Sequence, residues 1–150
     1  GVWYHGDWAM VDDDGYWYLH GRSDDTIMVA GKRVGPAEVE SALLRNPAVM
    51  EAAAIGVPHD LKGEAVVAFA VLSPDAEPTE ALRSTLVQGV VDVFGKTMVP
   101  DAVLFVDAIP KTRSAKILRS SIRRAYLGES VGDVSSVENP EAFEAIANAR

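Results

Sequence analysis

The stretch "VMEAAAIGVPHDLKGEAVVAFAVLS", residues 49–73, consists of two apolar runs joined by the turn-forming "PHDLKG" at 58–63. Both runs are short, rich in Ala, Val, Ile and Phe, and bounded by turn residues, which predicts a pair of strands. Downstream, Leu82, Leu86, Val90 and Phe94 recur at helical spacing, "DAVLFVD" (101–107) reads as a third strand, and Leu118, Ile122, Ala125 and Tyr126 mark one face of a further helix. Upstream, Pro36 suits the first turn of a helix, where its missing N–H is harmless. Val39, Ala42 and Leu43 form that helix's apolar stripe, and Asn46-Pro47 ends it. Before it, "DDTIMVAGKRVGP" (24–36) gives a strand at 26–29, a glycine turn at Gly31 and a stop at Gly35-Pro36. "DWAMVDDDGYWYLHGR" (7–22) reads as two strands around an acidic Asp-Gly turn. The expected class is α+β: a small, mostly antiparallel sheet flanked by helices and preceded by a β-hairpin.

Composition narrows the function. The 150 residues carry 14 Lys and Arg against 22 Asp and Glu, a formal net charge of −8, which excludes general nucleic-acid binding. With no cysteine there is no disulfide and no thiolate metal site, which fits a reducing compartment. The longest apolar run, "AVVAFAVL" (65–72), is far short of the roughly 20 residues of a membrane-spanning helix. A cytoplasmic location is expected. "GVWYHGDWAMV" opens without a methionine and in motif-like sequence, so a piece of a longer protein is expected. From residue 129 the chain turns acidic and Ser-rich, with a short helix from Pro140. This acidic segment, 129–150, is expected to lie on the domain surface or to be partly disordered.

Against that acidic background stands "PKTRSAKILRSSIRRAY", residues 110–126, with Lys111, Arg113, Lys116, Arg119, Arg123 and Arg124. Cations at a loop leading into a helix N-terminus suit a phosphate or carboxylate, or they are a solvated basic face. Gly31 and Gly35 bracket Lys32-Arg33, consistent with close approach to a ligand or with a hairpin turn bearing solvated charges. Asp24-Asp25 has no second cluster of oxygen ligands to make a cation site. His5, His20 and His59 lack metal-ligand spacing. Ser114 has no nucleophile elbow or nearby base, and the sequence contains no GxxxxGK[ST] and no GxGxxG.

The order of motifs is more specific than any one of them. "YHGDWA", "DDDGYWYLHGRSDD", "VAGKRVGPAEVE", "AAAIGVPHDLKGE" and "IPKTRSAKILR" follow one another along the chain. This series resembles the C-terminal end of the AMP-forming acyl-CoA synthetases, especially the acetyl-CoA synthetase group of the adenylate-forming superfamily. "GESVGDVSSVENPEAFEAI" (128–146) resembles the tail that this group carries.

The resemblance implies that residues 1–22 end a large N-terminal domain, 23–128 form a mobile C-terminal domain, and 129–150 are the tail. It implies an enzyme that activates a short carboxylic acid with ATP, accompanied by Mg2+, as acyl-AMP and pyrophosphate, then transfers the acyl group to CoA. No Mg2+ ligands are expected in this piece, which alone should be inactive. By the same resemblance Lys116 catalyses adenylation, Asp7 holds the ribose hydroxyls, Arg22 is a nucleotide-side arginine, and Arg33 engages phosphates. Gly31 lies near the pantetheine path, and Asp24 is the hinge. Three positions depart from the pattern: Ala115 where glycine is usual, Ala30 where serine is common, and His5 where threonine is frequent. Ala115 is expected to restrict the loop and to alter slightly the path by which Lys116 enters. The alternatives are an adenylate-forming enzyme with another thiol acceptor, such as a carrier protein, or a noncatalytic interaction module derived from this domain.

Overall fold

The computed structural model describes residues 7–11, 13–15, 17–22 and 25–150, with side chains for 13–15 and from Asp25 onward. β1 (Asp7–Val11) and β2 (Trp17–Arg22) form an antiparallel hairpin of their own. The other elements are β3 (Ile27–Val29), β4 (Lys32–Val34), α1 (Pro36–Leu44), β5 (Val49–His59), β6 (Gly63–Leu72), α2 (Glu80–Phe94), β7 (Ala102–Phe105), α3 (Arg119–Leu127) and α4 (Ala142–Asn148). The chain is α+β, and among the described residues β6–β7 is the parallel pairing of a sheet otherwise antiparallel.

β6 is the centre of that sheet. Its whole length pairs antiparallel with β5, from His59 opposite Gly63 to Val49 opposite Leu72. β3 meets β6 at Gly63, and β7 runs parallel to it from Val67 to Ala70. Side chains alternate across a pleated strand, and here both faces are dry. Ala52, Ala54, Val66, Ala68 and Ala70 join Val39 and Leu43 of α1 and Leu86 and Val90 of α2 in one core. Ala53, Ile55, Val67 and Phe69 join Ile122 and Ala125 of α3 and Phe143 and Ile146 of α4 in a second. Burial on both sides is why these strands read as continuous apolar runs instead of alternating ones.

The helix ends follow their local chemistry. Pro36 occupies the first turn of α1. Thr79 caps α2, its hydroxyl accepting from the Leu82 N–H at 3.1 Å. The acidic segment after Gly128 is integrated into the core: Ala142, Phe143 and Ile146 of α4 are buried, and Val131, Val134 and Val137 pack against the same cluster. Val, Phe and Ile supplied enough apolar surface to dock a segment whose composition suggested a surface tail.

One close approach is sterically decisive. A Cβ built on Gly56 would stand 2.8 Å from Cγ2 of Ile27 and 2.6 Å from Oε2 of Glu64. Ile27 is fully buried, and Glu64 is held because its Oε1 accepts from the Met28 N–H at 3.1 Å. Gly56→Ala should therefore destabilise the chain by about 1–3 kcal/mol. A lowered urea midpoint with unchanged slope would register it; an unchanged midpoint would mean the site can relax.

Candidate functional site

The basic stretch at 110–126 divides into cations that are paired inside the fold and cations that are not. Lys111 makes an ion pair with Glu51 of β5. Arg123 donates from Nε to the Gly56 carbonyl at 2.7 Å. Arg119, in the first turn of α3, is chelated by Glu40. Its Nε donates to Oε1 at 2.8 Å and its Nη2 to Oε2 at 2.6 Å, while Nη1 reaches Asp25 at 3.3 Å. Glu40 is 5% exposed, and its Oε1 also accepts from the Ala54 N–H at 2.9 Å. The hydrogen bonds to Glu40 raise the Arg119 pKa further, against the burial that lowers it. A cation at a helix start opposes the helix dipole, and here two carboxylates outweigh it.

Lys116 is different. Its side chain is exposed, and among the described residues its ammonium has no hydrogen-bond or ion-pair partner. Its backbone, by contrast, is fixed. Lys111 bridges Ile117, the Thr112 N–H donates to the Lys116 carbonyl at 3.0 Å, and the Ala115 N–H donates to the Thr112 carbonyl at 2.9 Å. The Lys116 N–H donates to Oγ1 of Thr112 at 3.2 Å. This is a small hairpin with a three-residue loop, Arg113-Ser114-Ala115, in which the last loop residue is left-handed. Ala115 has φ +62°. The alanine thus adopts a left-handed backbone that glycine takes without strain.

The glycine turn lies elsewhere. Ala30 and Gly31 connect β3 to β4 with φ +49° and +80°, the positive pair that marks a type I′ hairpin turn. The Ala30 N–H donates to the Lys62 carbonyl at 2.7 Å, at the tip of the β5–β6 hairpin. Arg33 is exposed on β4, opposite Met28. The lysine loop is tethered at Glu51 and the glycine turn at Lys62, beside His59. From Glu51 to His59 is eight steps along β5, roughly 26 Å at about 3.3 Å per residue. Lys116 lines a cleft with Asp25, Arg119 and Ser120; Ala30 lines another with Lys32, Lys62, Lys96 and Asp101. Lys62 is held by both Asp101 oxygens, at 2.9 and 3.0 Å. In the separate hairpin the backbone register sets Asp7 opposite Arg22. Asp24 lies outside the described residues.

The model of the AMP-binding enzyme C-terminal domain matches residues 38–116, more than half of the chain. The chain belongs to the AMP-binding enzyme C-terminal domain family. Among relatives of this family member, an acetyl-coenzyme A synthetase of Methanothrix thermoacetophila is 47% identical over 97% of this chain and 22% of its own length. A 3-hydroxypropionyl-coenzyme A synthetase of Sulfurisphaera tokodaii is 44% identical over 99% of this chain, again 22% of its own length. Acetoacetyl-CoA synthetase from Streptomyces lividans superposes with a TM-score of 0.84 at 27% identity, covering 97% of this chain and 22% of that one. The chain thus spans less than a quarter of the curated relatives it matches.

Glu40 and Asn139 were not singled out in the sequence, and Arg119 was read only as one cation of the basic stretch. Glu40 left a trace: it falls within the buried stripe of α1, beside Val39 and Leu43, where a carboxylate needs a cation. Its partner is 79 residues away, which no local pattern reveals.

Arg119→Ala should cost about 3–5 kcal/mol, because it strands the Glu40 carboxylate inside the fold. Adding Glu40→Gln should recover part of that loss, since the amide oxygen still serves the Ala54 N–H without a charge. A double variant no more stable than Arg119→Ala in thermal unfolding would contradict this. Ala115→Gly should stabilise the chain by about 1 kcal/mol by releasing a left-handed alanine; a loss of stability would show that the methyl group makes compensating contacts.

Proposed function

We propose that the chain is the mobile C-terminal part of an AMP-forming acyl-CoA synthetase that activates a short carboxylic acid with ATP and passes the acyl group to CoA. The observation that carries this reading is the exposed, partnerless ammonium of Lys116 on a loop whose backbone is tied at both ends. In the first half-reaction a carboxylate oxygen attacks the α-phosphorus and pyrophosphate leaves. Lys116 is the group that steadies the negative charge gathering on the acid and phosphoryl oxygens. An unpaired lysine on a long stem can meet that charge without first breaking an internal ion pair.

In the second half-reaction the CoA sulfur attacks the acyl carbon and AMP leaves. The Ala30–Gly31 turn then borders the pantetheine arm, and Lys32 and Lys96 offer cations to the phosphate-bearing end of CoA. Tethering of the two working loops at opposite ends of β5–β6 supports a domain that turns about Asp24 between the two steps. Asp7 holds the ribose of ATP, Arg22 the nucleotide side, and Arg33 its phosphates. Mg2+ accompanies ATP, and the described residues contain no group of three His, Cys, Asp or Glu side chains to hold it. Among the described residues no helix is long and apolar enough to cross a membrane. The large N-terminal domain of the same protein is the expected partner, and the piece alone is inactive in this reading. The relatives' names span several acids, so the acid pocket is assigned to the rest of the enzyme.

In the full-length protein Lys116→Ala should lower acid-dependent pyrophosphate exchange by roughly 10²–10³-fold, the scale of losing one charge-stabilising donor. Thioester formation from supplied acyl-AMP should persist. Equal loss in both half-reactions would remove Lys116 from the adenylation step.

A further inference from the structure

The hairpin that carries Lys116 is bridged on its other side by the acidic segment near the end of the sequence. Thr112 forms an antiparallel bridge with Val137, and the Glu138 N–H donates to the Lys111 carbonyl at 3.0 Å. Asn139 then grips both sides of Pro110 at the root of the loop. Its side-chain oxygen accepts from the Lys111 N–H at 3.2 Å, and its side-chain nitrogen donates to the Ile109 carbonyl at 3.0 Å. With these bonds the backbone groups of Lys111 and Thr112 are all satisfied: toward Asn139 and Glu138 for Lys111, toward Lys116 and Ala115 for Thr112.

We propose that Asn139 is a positioning residue for Lys116, and that residues 137–139 act as a clamp that sets where the lysine loop leaves the domain. This rests on the reading of Lys116 as the adenylation lysine. The clamp is itself anchored, which a surface tail could not be. The Asn139 carbonyl accepts from the Ala142 N–H at 3.0 Å, and α4 follows with Phe143 and Ile146 buried in the core shared with α3. Ile109, at the other end of the grip, is 1% exposed. A rigid amide thus joins two buried anchors across the one proline where the loop begins. The family match ends at Lys116, so the residues that clamp the loop lie beyond the portion of the chain that defines the family.

The clamp acts on one half-reaction only, because Lys116 is needed for adenylation and the glycine turn is tethered at the far end of the sheet. The test uses the full-length protein with ATP and whichever of acetate, propionate or 3-hydroxypropionate it uses fastest. Acid-dependent pyrophosphate exchange is measured beside thioester formation from the matching acyl-AMP and CoA. Asn139→Ala should lower the kcat of exchange roughly ten- to hundredfold, the scale of a misplaced catalytic group, with KM for ATP and thioester formation unchanged. Asn139→Asp, which keeps the acceptor for Lys111 but loses the donor to Ile109, should fall between it and wild type. Glu138→Pro removes the donor to the Lys111 carbonyl and leaves both Asn139 bonds their groups, should slow exchange selectively as well, and decides the matter if Asn139→Ala does not fold. Wild-type exchange in these variants, or an equal fall in both half-reactions, overturns the clamp. Lys116→Ala run in parallel separates the two readings. If it retains exchange, the adenylation role is wrong; if it loses exchange while the clamp variants keep it, only the clamp is wrong.

Discussion

Dryness on both faces of β5 and β6 is the constraint from which the rest of the architecture follows. A strand pair that must be covered twice needs helices on each side. The chain supplies α1 and α2 for one face and α3 and α4 for the other. Because β7 runs parallel to β6, the chain leaves the sheet after Phe105 at the end where β5 begins. The lysine loop therefore emerges beside Glu51, and its first lysine is consumed in a tie to that residue.

Electrostatics then distributes the basic stretch. Arg119 joins Asp25, which precedes β3, to Glu40 in α1 and to the start of α3, so one guanidinium fixes three segments distant in sequence. Such a buried tie is expensive to form and more expensive to break. Its value here is geometric: it holds Asp25 and α1 in register with the helix that follows Lys116. With Lys111 and Arg123 also engaged, the loop charge left unclaimed among the described residues is that of Lys116 and the exposed Arg113.

Local patterns made much of this readable. β5, β6 and β7 announced themselves as apolar runs, and α2 by Leu82, Leu86 and Val90, because burial dictates composition. The proline at Pro36 and the glycine at Gly31 gave boundaries through backbone chemistry alone. β4 was harder, since two of its three residues are charged and exposed. The Glu40–Arg119 tie and the Asn139 grip were invisible because their partners are brought together by the tertiary fold. The short helix expected from Pro140 is present as α4, but residues 129–141 misled by composition: their valines are spaced for packing in an irregular segment, where neither helical nor strand periodicity appears. The roles of Asp7, Arg22, Arg33 and Gly31 came from resemblance alone.

The β5–β6 hairpin holds the lysine loop near one end and the glycine turn at the other, and both of its faces are packed solid. It is in effect a ruler, whose length in residues fixes the separation of the two loops, the stations of the two proposed half-reactions. Lengthening each strand by two residues would keep every side chain on its own face and yet push the stations about 7 Å further apart. Hairpin length is thus a dimension of the machine that neither station's own residues record.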